Sequence, residues 1–287
     1  MFAPMARAVG RNLVVVDVGC RWGFAEAWSA LGPHVTIIGF DPDGKECERL
    51  RKAYSGQMNV QFVPLALGPS SGMVSLFQAA DPACSSLYEP DATWTEALPG
   101  LACAKLVGKS TVNVVTMDSW AASAGIQEVD FIKLDTQGSE LGVLQGAKRV
   151  ITSVRALEVE VEFNPIYRGQ PLFGDVDAFL RKRGFVLWRL KNLAHYTRST
   201  SEANVRLEDR YFFDSKIVDM DTPGGQLFWG HAYYVRREMT APKLSDDWKG
   251  HLRDSCILWA LGFDDLRQNL LNGVREHAPP DIVRLVR

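Results

Sequence analysis

The sequence predicts an α/β fold built on a doubly wound parallel sheet. Three observations carry this: short apolar runs rich in β-branched residues alternate with helical stretches, the runs are apolar on both faces, and the first of them ends in a glycine loop. Strands buried on both sides need helices on both faces of the sheet, and parallel neighbours need a crossover between them. With 287 residues, 46% of them hydrophobic and 23% charged, the chain can hold one large domain of this kind with a helical addition, and it is too apolar for wholesale disorder.

Taken in order, Leu13 to Val18 is the first strand, and Phe24 to Leu31 reads as a short helix after the glycine loop. Val35 to Phe40 is the second strand, and the helical stretch from Pro42 to Tyr54 next to it carries Cys47, Leu50 and Tyr54 on one stripe. Val60 to Leu67 makes a third strand. Met73 to Phe77 and Thr111 to Thr116 read as strands around a long excursion over residues 79 to 108, and excursions of that length inside compact domains are commonly functional. The strand and helix rhythm then resumes with a strand from Asp130 to Leu134, a helix from Ser139 to Ala147, a strand from Leu157 to Phe163, a helix from Asp175 to Arg183 and a strand from Phe185 to Leu190. Ala232 to Val235 is expected as a final edge strand. Beyond Pro242 the period changes, because Leu244, Trp248, Leu252, Cys256 and Trp259 recur every three or four residues as on an amphipathic helix. The expected division is therefore a main domain over residues 1–240 and a helical appendage over residues 241–287.

The formal net charge is -2, which argues against a protein that grips nucleic acid through a dominant basic surface. Residues 1–180 carry a charge of -6 and residues 181–287 carry +4, an asymmetry that suits an anionic acceptor or, more plainly, ordinary solvated surface. Cys20, Cys47, Cys84, Cys103 and Cys256 are scattered without a CxxC pair, so neither a disulfide framework nor a zinc site is expected. The chain enters its first strand without an apolar leader, and no run approaches the roughly 20 apolar residues that span a bilayer. The expectation is a cytoplasmic protein with no membrane span.

The most informative segment is Val14-Val15-Val16-Asp17-Val18-Gly19-Cys20-Arg21-Trp22-Gly23, followed by Ile37-Ile38-Gly39-Phe40-Asp41. A strand ending in a glycine turn lets a ligand approach the backbone, and an acid at the end of the next strand can accept hydrogen bonds from both hydroxyls of a ribose. A dinucleotide pyrophosphate needs closely spaced glycines, whereas Gly19 and Gly23 are separated by bulky Arg21 and Trp22, which argues against a nicotinamide oxidoreductase. S-adenosylmethionine suits this loop: its carboxylate can use loop amides, and its ammonium group needs acceptors such as loop carbonyls or Asp17. In the second half of the crevice, Asp130-Phe131-Ile132-Lys133-Leu134-Asp135-Thr136-Gln137-Gly138-Ser139-Glu140 places Asp135 at the carboxyl end of a strand, where a ligand or Lys133 must compensate its desolvation. Glu140 sits near a helix start and can equally serve the helix dipole.

These segments resemble the FkbM-type family of S-adenosylmethionine-dependent methyltransferases. The likeness lies in the D-x-G-x-x-x-G loop at Asp17 to Gly23, the acid at Asp41, the Ser-Ser-Leu at Ser85 to Leu87 and the D-F-I-K-x-D-x-x-G-x-E block at Asp130 to Glu140. A further stretch from Glu160 to Phe173 is similar to the segment after the fifth strand in one bacterial branch of that family. The resemblance implies a class I methyltransferase (Rossmann-like) fold with a mostly parallel seven-stranded sheet and one antiparallel strand, and methyl transfer to a hydroxyl of a sugar, glycan or natural product. It implies cofactor contacts at Asp17, Gly19, Cys20, Arg21, Trp22, Gly23, Asp41, Pro42, Ala66, Leu67, Ser86 and Asp135. Two positions depart from the pattern: Cys20-Arg21-Trp22 replaces a small residue and Asn, and Gln137 replaces the acid of the common D-x-E-G form. The second change removes a carboxylate from beside the methyl group, and no metal site is expected.

A hydroxyl acceptor must lose its proton near the transition state. The candidates are Asp135 first, as base or ammonium partner, Glu160 second, then Glu140, with Glu162 and His231 behind them. Glu158, Glu160 and Glu162 alternate with Leu157, Val159, Val161 and Phe163, which a half-exposed strand explains without function. His231 reads more plainly as a satisfied or exposed histidine. Trp22 and Tyr167 are the aromatics placed to stack on adenine or on a sugar face. Two other readings stay open, a methyltransferase-like binding domain without turnover and a protein or RNA methyltransferase. A homo-oligomer is also left open.

Overall fold

The computed structural model describes residues 2–57, 59–196, 205–207, 226–240 and 245–286. Its strands are β1 (Leu13–Val18), β2 (Val35–Phe40), β3 (Val60–Val63), β4 (Ala66–Leu67), β5 (Gly72–Ala79), β6 (Leu106–Val115), β7 (Phe131–Leu134), β8 (Ala156–Glu162), β9 (Phe185–Tyr196), β10 (Val205–Leu207) and β11 (Gln226–Arg236). Eight of them form one sheet in the order β10-β9-β11-β8-β7-β1-β2-β3, and β4-β6-β5 form a second, three-stranded sheet. β1 is central, parallel to β2 and β7, and β3 and β8 continue the parallel set outward. The mostly parallel sheet and its antiparallel strand make this the class I methyltransferase arrangement. The short β10, antiparallel to β9, adds an eighth strand to the seven the resemblance implies.

The segment expected at an edge is not there. β11 lies between β8 and β9, antiparallel to both, and Ala232, Tyr234 and Val235 are fully buried. Sequence periodicity reports burial on two faces but not which neighbours a strand takes. The third expected strand is also broken in two. Pro64 has no N–H for a ladder, so β3 ends at Val63 and Ala66–Leu67 pairs with β6 in the second sheet. The excursion is shorter than expected because β6 begins at Leu106, and three short helical turns, Pro82–Cys84, Ala92–Thr95 and Pro99–Ala104, fill the rest. The expected helix after the glycine loop is a 3₁₀ segment, Glu26–His34, broken by Gly32 and Pro33.

Helices cover both faces of the large sheet. On one face Val16, Val18, Ile38, Ile132 and Leu134 pack with Val143, Leu144, Val176 and Leu180 from the helices Glu140–Gln145 and Phe173–Arg181. On the other, Leu13, Val15, Ile37, Phe131 and Val235 share one core with Met5 of the helix Phe2–Ala8 and with Leu252, Ile257 and Leu270 of the helices Trp248–Leu261 and Asp264–His277. Leu244, the first residue of the expected amphipathic stripe, lies outside the described residues; Leu252 and Cys256 from that stripe are fully buried. Arg155 grips the buried Asp254 with two hydrogen bonds of 3.0 and 2.8 Å, fastening the helix Trp248–Leu261 to the start of β8. Among the described residues, no helix is long and apolar enough to cross a membrane.

Candidate active site

The carboxyl ends of β1, β2 and β7 open into a cleft of about 1660 Å³, which the second sheet and the turns between β5 and β6 enclose from the side. The loop after β1 forms its floor. Gly19 and Cys20 donate backbone hydrogen bonds of 2.9 and 3.1 Å to the Phe40 carbonyl, which ties this loop to the end of β2. Gly19 has φ +89°, and a Cβ there would overlap the carbonyl oxygen of Asp135. Only glycine lets the β1 and β7 loops meet backbone to backbone. Cys20 turns away from the cleft and packs with Cys47, Leu50 and Phe62, and Gly23 rests against the Tyr54 hydroxyl. Arg21 and Trp22 face the cleft, Trp22 with 80% of its surface exposed.

Asp41 is buried at the end of β2 and faces the cleft beside Pro42. One of its oxygens accepts the Asp43 N–H at 2.8 Å, and the other lies 3.5 Å from Arg21, which also pairs with Asp43 at 3.1 Å. Burial pushes the Asp41 carboxyl up, and the Asp43 N–H and Arg21 oppose it. Asp43 also caps the helix Gly44–Ala53 through the N–H groups of Lys45 and Glu46. Ala66, Leu67 and Ser86 line the opposite wall, where the Ser86 hydroxyl donates to the Gln137 carbonyl at 2.6 Å.

The acidic end of the cleft is organised around Lys133 and Gln137. Lys133 lies 3.1 Å from Asp135 and 3.5 Å from Asp17, and one oxygen of the buried Asp17 has no hydrogen-bond partner. Burial pushes Asp17 up to about 6, against the charge of Lys133. Gln137, at φ +57°, donates from one amide nitrogen to Glu160 at 2.7 Å and to Asp135 at 3.3 Å. The Tyr167 hydroxyl lies 2.9 Å from the amide oxygen of Gln137 and 2.8 Å from the Cys84 carbonyl, which share its single proton.

The two bridged acids are shifted in opposite directions. Burial would raise Asp135, but the charge of Lys133, together with hydrogen bonds, holds its carboxyl below the usual range. Burial first, then the Asp135 charge, raises Glu160 well above that range, and Glu162 is raised by burial and by the charge of Glu140. The half-exposed strand offered for these glutamates is thereby overturned, since Glu160 and Glu162 are 7% and 2% exposed.

Asp17, Cys20, Gly23 and Glu140 lie behind the cleft wall, whereas the other residues expected at the cofactor, together with Glu160, line it. Glu140 accepts hydrogen bonds from the Thr136 N–H at 2.6 Å and its hydroxyl at 2.9 Å, so it holds the loop that carries Asp135. His231, ranked last from sequence, faces the cleft from β11 opposite Glu160, and its Nδ1 lies 2.9 Å from a carboxylate oxygen of Glu158. Asp135, Glu160 and His231 bring potential metal-ligand atoms within 4.8 Å of one another. Lys133 and Gln137 each donate to one oxygen of Asp135, and Gln137 also donates to one oxygen of Glu160. Sequence reasoning missed the bridging of Gln137 and the pairing of Glu158 with His231. The first showed only as a departure from a motif; the second depends on which strand lies beside β8.

Comparison with known proteins bears on this site. Residues 12–187 match the methyltransferase FkbM domain. The chain is 24% identical over 161 residues to 2-O-methyltransferase NoeI of Sinorhizobium fredii (strain NBRC 101917 / NGR234), covering 55% of this chain and 66% of that relative, just under two thirds of its length. Among solved structures it is similar to magnesium protoporphyrin IX methyltransferase of Synechocystis PCC 6803 with bound S-adenosylmethionine, at 12% identity and a TM-score of 0.37 over 82% of this chain and 76% of that one. It is also similar to precorrin-6y C5,15-methyltransferase of Geobacter metallireducens GS-15, at 11% identity and a TM-score of 0.34 over 82% of this chain and 87% of that one.

Proposed function

Since this chain belongs to the FkbM methyltransferase family, we propose that it transfers the methyl group of S-adenosylmethionine to a hydroxyl oxygen of a sugar, glycan or natural-product acceptor. The observation that carries this reading is the convergence of the glycine loop, Asp41 and Asp135 on one cleft at the carboxyl ends of three adjacent parallel strands. The cofactor supplies a methyl carbon already activated by the sulfonium charge. The chain's residues fit it on two counts. Asp41 is a buried carboxylate at the position where ribose hydroxyls are met, with Pro42, Ala66 and Leu67 offering apolar surface for the adenine. Asp17 and Asp135 share the single ammonium of Lys133, two carboxylates against one cation at the acidic end of the cleft, which suits a cationic ligand there.

The remaining task is to align an acceptor oxygen behind the methyl carbon and to keep water out. Glu160, Tyr196, Trp229 and His231 line that end, ring faces and hydrogen-bonding groups suited to a polyhydroxy ring, whereas Tyr167, expected to stack there, is 1% exposed and supports the wall from behind through Gln137. The match to a relative named a 2-O-methyltransferase supports oxygen as the target.

Calorimetry with S-adenosylmethionine tests the cofactor half. Asp41→Ala should weaken binding at least ~10-fold, equivalent to about 1.4 kcal/mol, and an unchanged affinity would sink the ribose assignment. Transfer of a radiolabelled methyl group to a glycoside panel tests the acceptor half. A binding domain without turnover is the second reading, favoured by Arg21 leaning on Asp41; cofactor binding with no labelled product from any acceptor would establish it.

A further inference from the structure

Resting on the reading of the site as an O-methyltransferase, we propose that His231, oriented by Glu158, is the catalytic base that takes the acceptor proton. The carboxylates first in line for that role are committed elsewhere. Asp135 accepts from Lys133 on one oxygen and from Gln137 on the other. Glu160 accepts from the same Gln137 amide, and burial, then the charge of Asp135, push its carboxyl up. Glu140 is spent on the backbone and hydroxyl of Thr136, behind the cleft wall.

His231 differs from all three. Its ring lines the cleft, and it lies across from Glu160 in the register of β11 and β8. Its Nδ1 is 2.9 Å from the Glu158 carboxylate, the arrangement in which Nδ1 carries the proton and Nε2 keeps its lone pair. One of its ring nitrogens is within 4.8 Å of oxygens of Asp135 and Glu160, so the imidazole stands at the junction of cofactor and acceptor ends. The neighbouring charged and titratable groups are Glu158 and Glu160 of β8, Asp135 beyond β7, and Lys191, its partner across from β9.

In the transfer, the acceptor oxygen forms a bond to the methyl carbon while the carbon–sulfur bond breaks and leaves its electron pair on sulfur. The acceptor proton passes to Nε2 of His231. The imidazolium so formed is stabilised by the Glu158 carboxylate at Nδ1, and it returns the proton to solvent after product leaves. Glu158 acts through His231 and is a positioning residue.

Two measurements on the full chain test this. In the nitrogen NMR spectrum of the protein saturated with S-adenosylmethionine at pH 8, His231 should carry its proton on Nδ1, with Nε2 bare; the opposite tautomer overturns the assignment, whether or not an acceptor is known. In the second, wild type and variants are supplied with radiolabelled cofactor and a panel of neutral methyl glycosides. His231→Ala should lower kcat by ~10²-fold or more with cofactor affinity unchanged, and added imidazole should restore part of the rate. Glu158→Gln should lower kcat less and respond to imidazole little. A His231→Ala enzyme with wild-type kcat, or one that imidazole does not rescue while cofactor affinity is intact, overturns the proposal. Wild type that binds cofactor yet methylates no glycoside counts against the proposed acceptor class, and the tautomer then decides the base alone.

Discussion

A single amide nitrogen of Gln137 spans Asp135 and Glu160, and the two acids it joins are pushed in opposite directions from the ordinary carboxylate range. The difference comes from position: Lys133 reaches Asp135, whereas Glu160 is buried with the neutral amide as its hydrogen-bond partner. The same logic reaches Asp17. Burial lifts its carboxyl to about 6, with Asp135 and Glu158 adding to the lift and Lys133 opposing it. An unfolded aspartate titrates near ~3.9, so between about pH 4 and pH 6 the folded chain binds more protons than the unfolded one. Stability carried by protonated Asp17 is therefore present at low pH and is lost as pH rises through that window, a swing on the order of 3 kcal/mol. Asp17→Asn removes the titration, and its melting temperature should fall less than that of wild type between pH 4 and pH 6. Parallel melting curves for the two proteins across that range would contradict the assignment.

At the scale of elements, the site depends on how closely loops approach. The β1 and β7 loops touch at Gly19, where a side chain would be both in the left-handed region and in collision with the Asp135 carbonyl. Gly19→Ala should destabilise the fold by about 2 kcal/mol or more and abolish cofactor binding, read by thermal melts and calorimetry. Gly174→Ala is the control: it lies in the helix Phe173–Arg181 with open space around it, and it should stabilise the chain by about 0.5–1 kcal/mol. Much of this scale was legible in the sequence. The runs around Val15, Ile38 and Ile132 mark strands because both faces are apolar, and Asp41 and Asp135 mark strand ends because each comes directly after such a run. Relations between distant segments escaped. Nothing local distinguishes Ala232–Val235 at an edge from the same residues between two strands, and so nothing local shows that His231 would stand beside Glu158 and Glu160. The alternation of Glu158, Glu160 and Glu162 resembles solvent exposure in one dimension, yet a cleft dug into the sheet's end buries the last two.

For the whole molecule, the central issue is what the last 45 or so residues contribute. The helices Trp248–Leu261 and Asp264–His277 share a core with β1, β2 and β7, with the helix Phe2–Ala8 and with Trp28 and Leu31 of the 3₁₀ segment, and they supply much of the cover of that sheet face. Leu252, Cys256, Ile257, Leu258, Leu270 and Val274 are each 2% exposed or less. At about 1.5–3 kcal/mol for each large apolar side chain buried, losing these contacts exceeds the net stability of an ordinary domain. The ion pair of Arg155 and Asp254 reinforces the attachment, and removing Asp254 leaves the largely buried Arg155 with only the exposed Glu238 as carboxylate partner. Asp254→Ala should thus cost about 3 kcal/mol in chemical denaturation while leaving cofactor affinity unchanged, since Asp254 does not line the cleft. A chain ending at residue 240 makes the stronger test. If these helices were a separable appendage, the shortened chain would melt cooperatively near the wild-type temperature and still bind S-adenosylmethionine. With the sheet face stripped, it should instead lose its cooperative transition and bind a dye for exposed apolar surface, placing the C-terminal helices within the folding unit that holds the cleft.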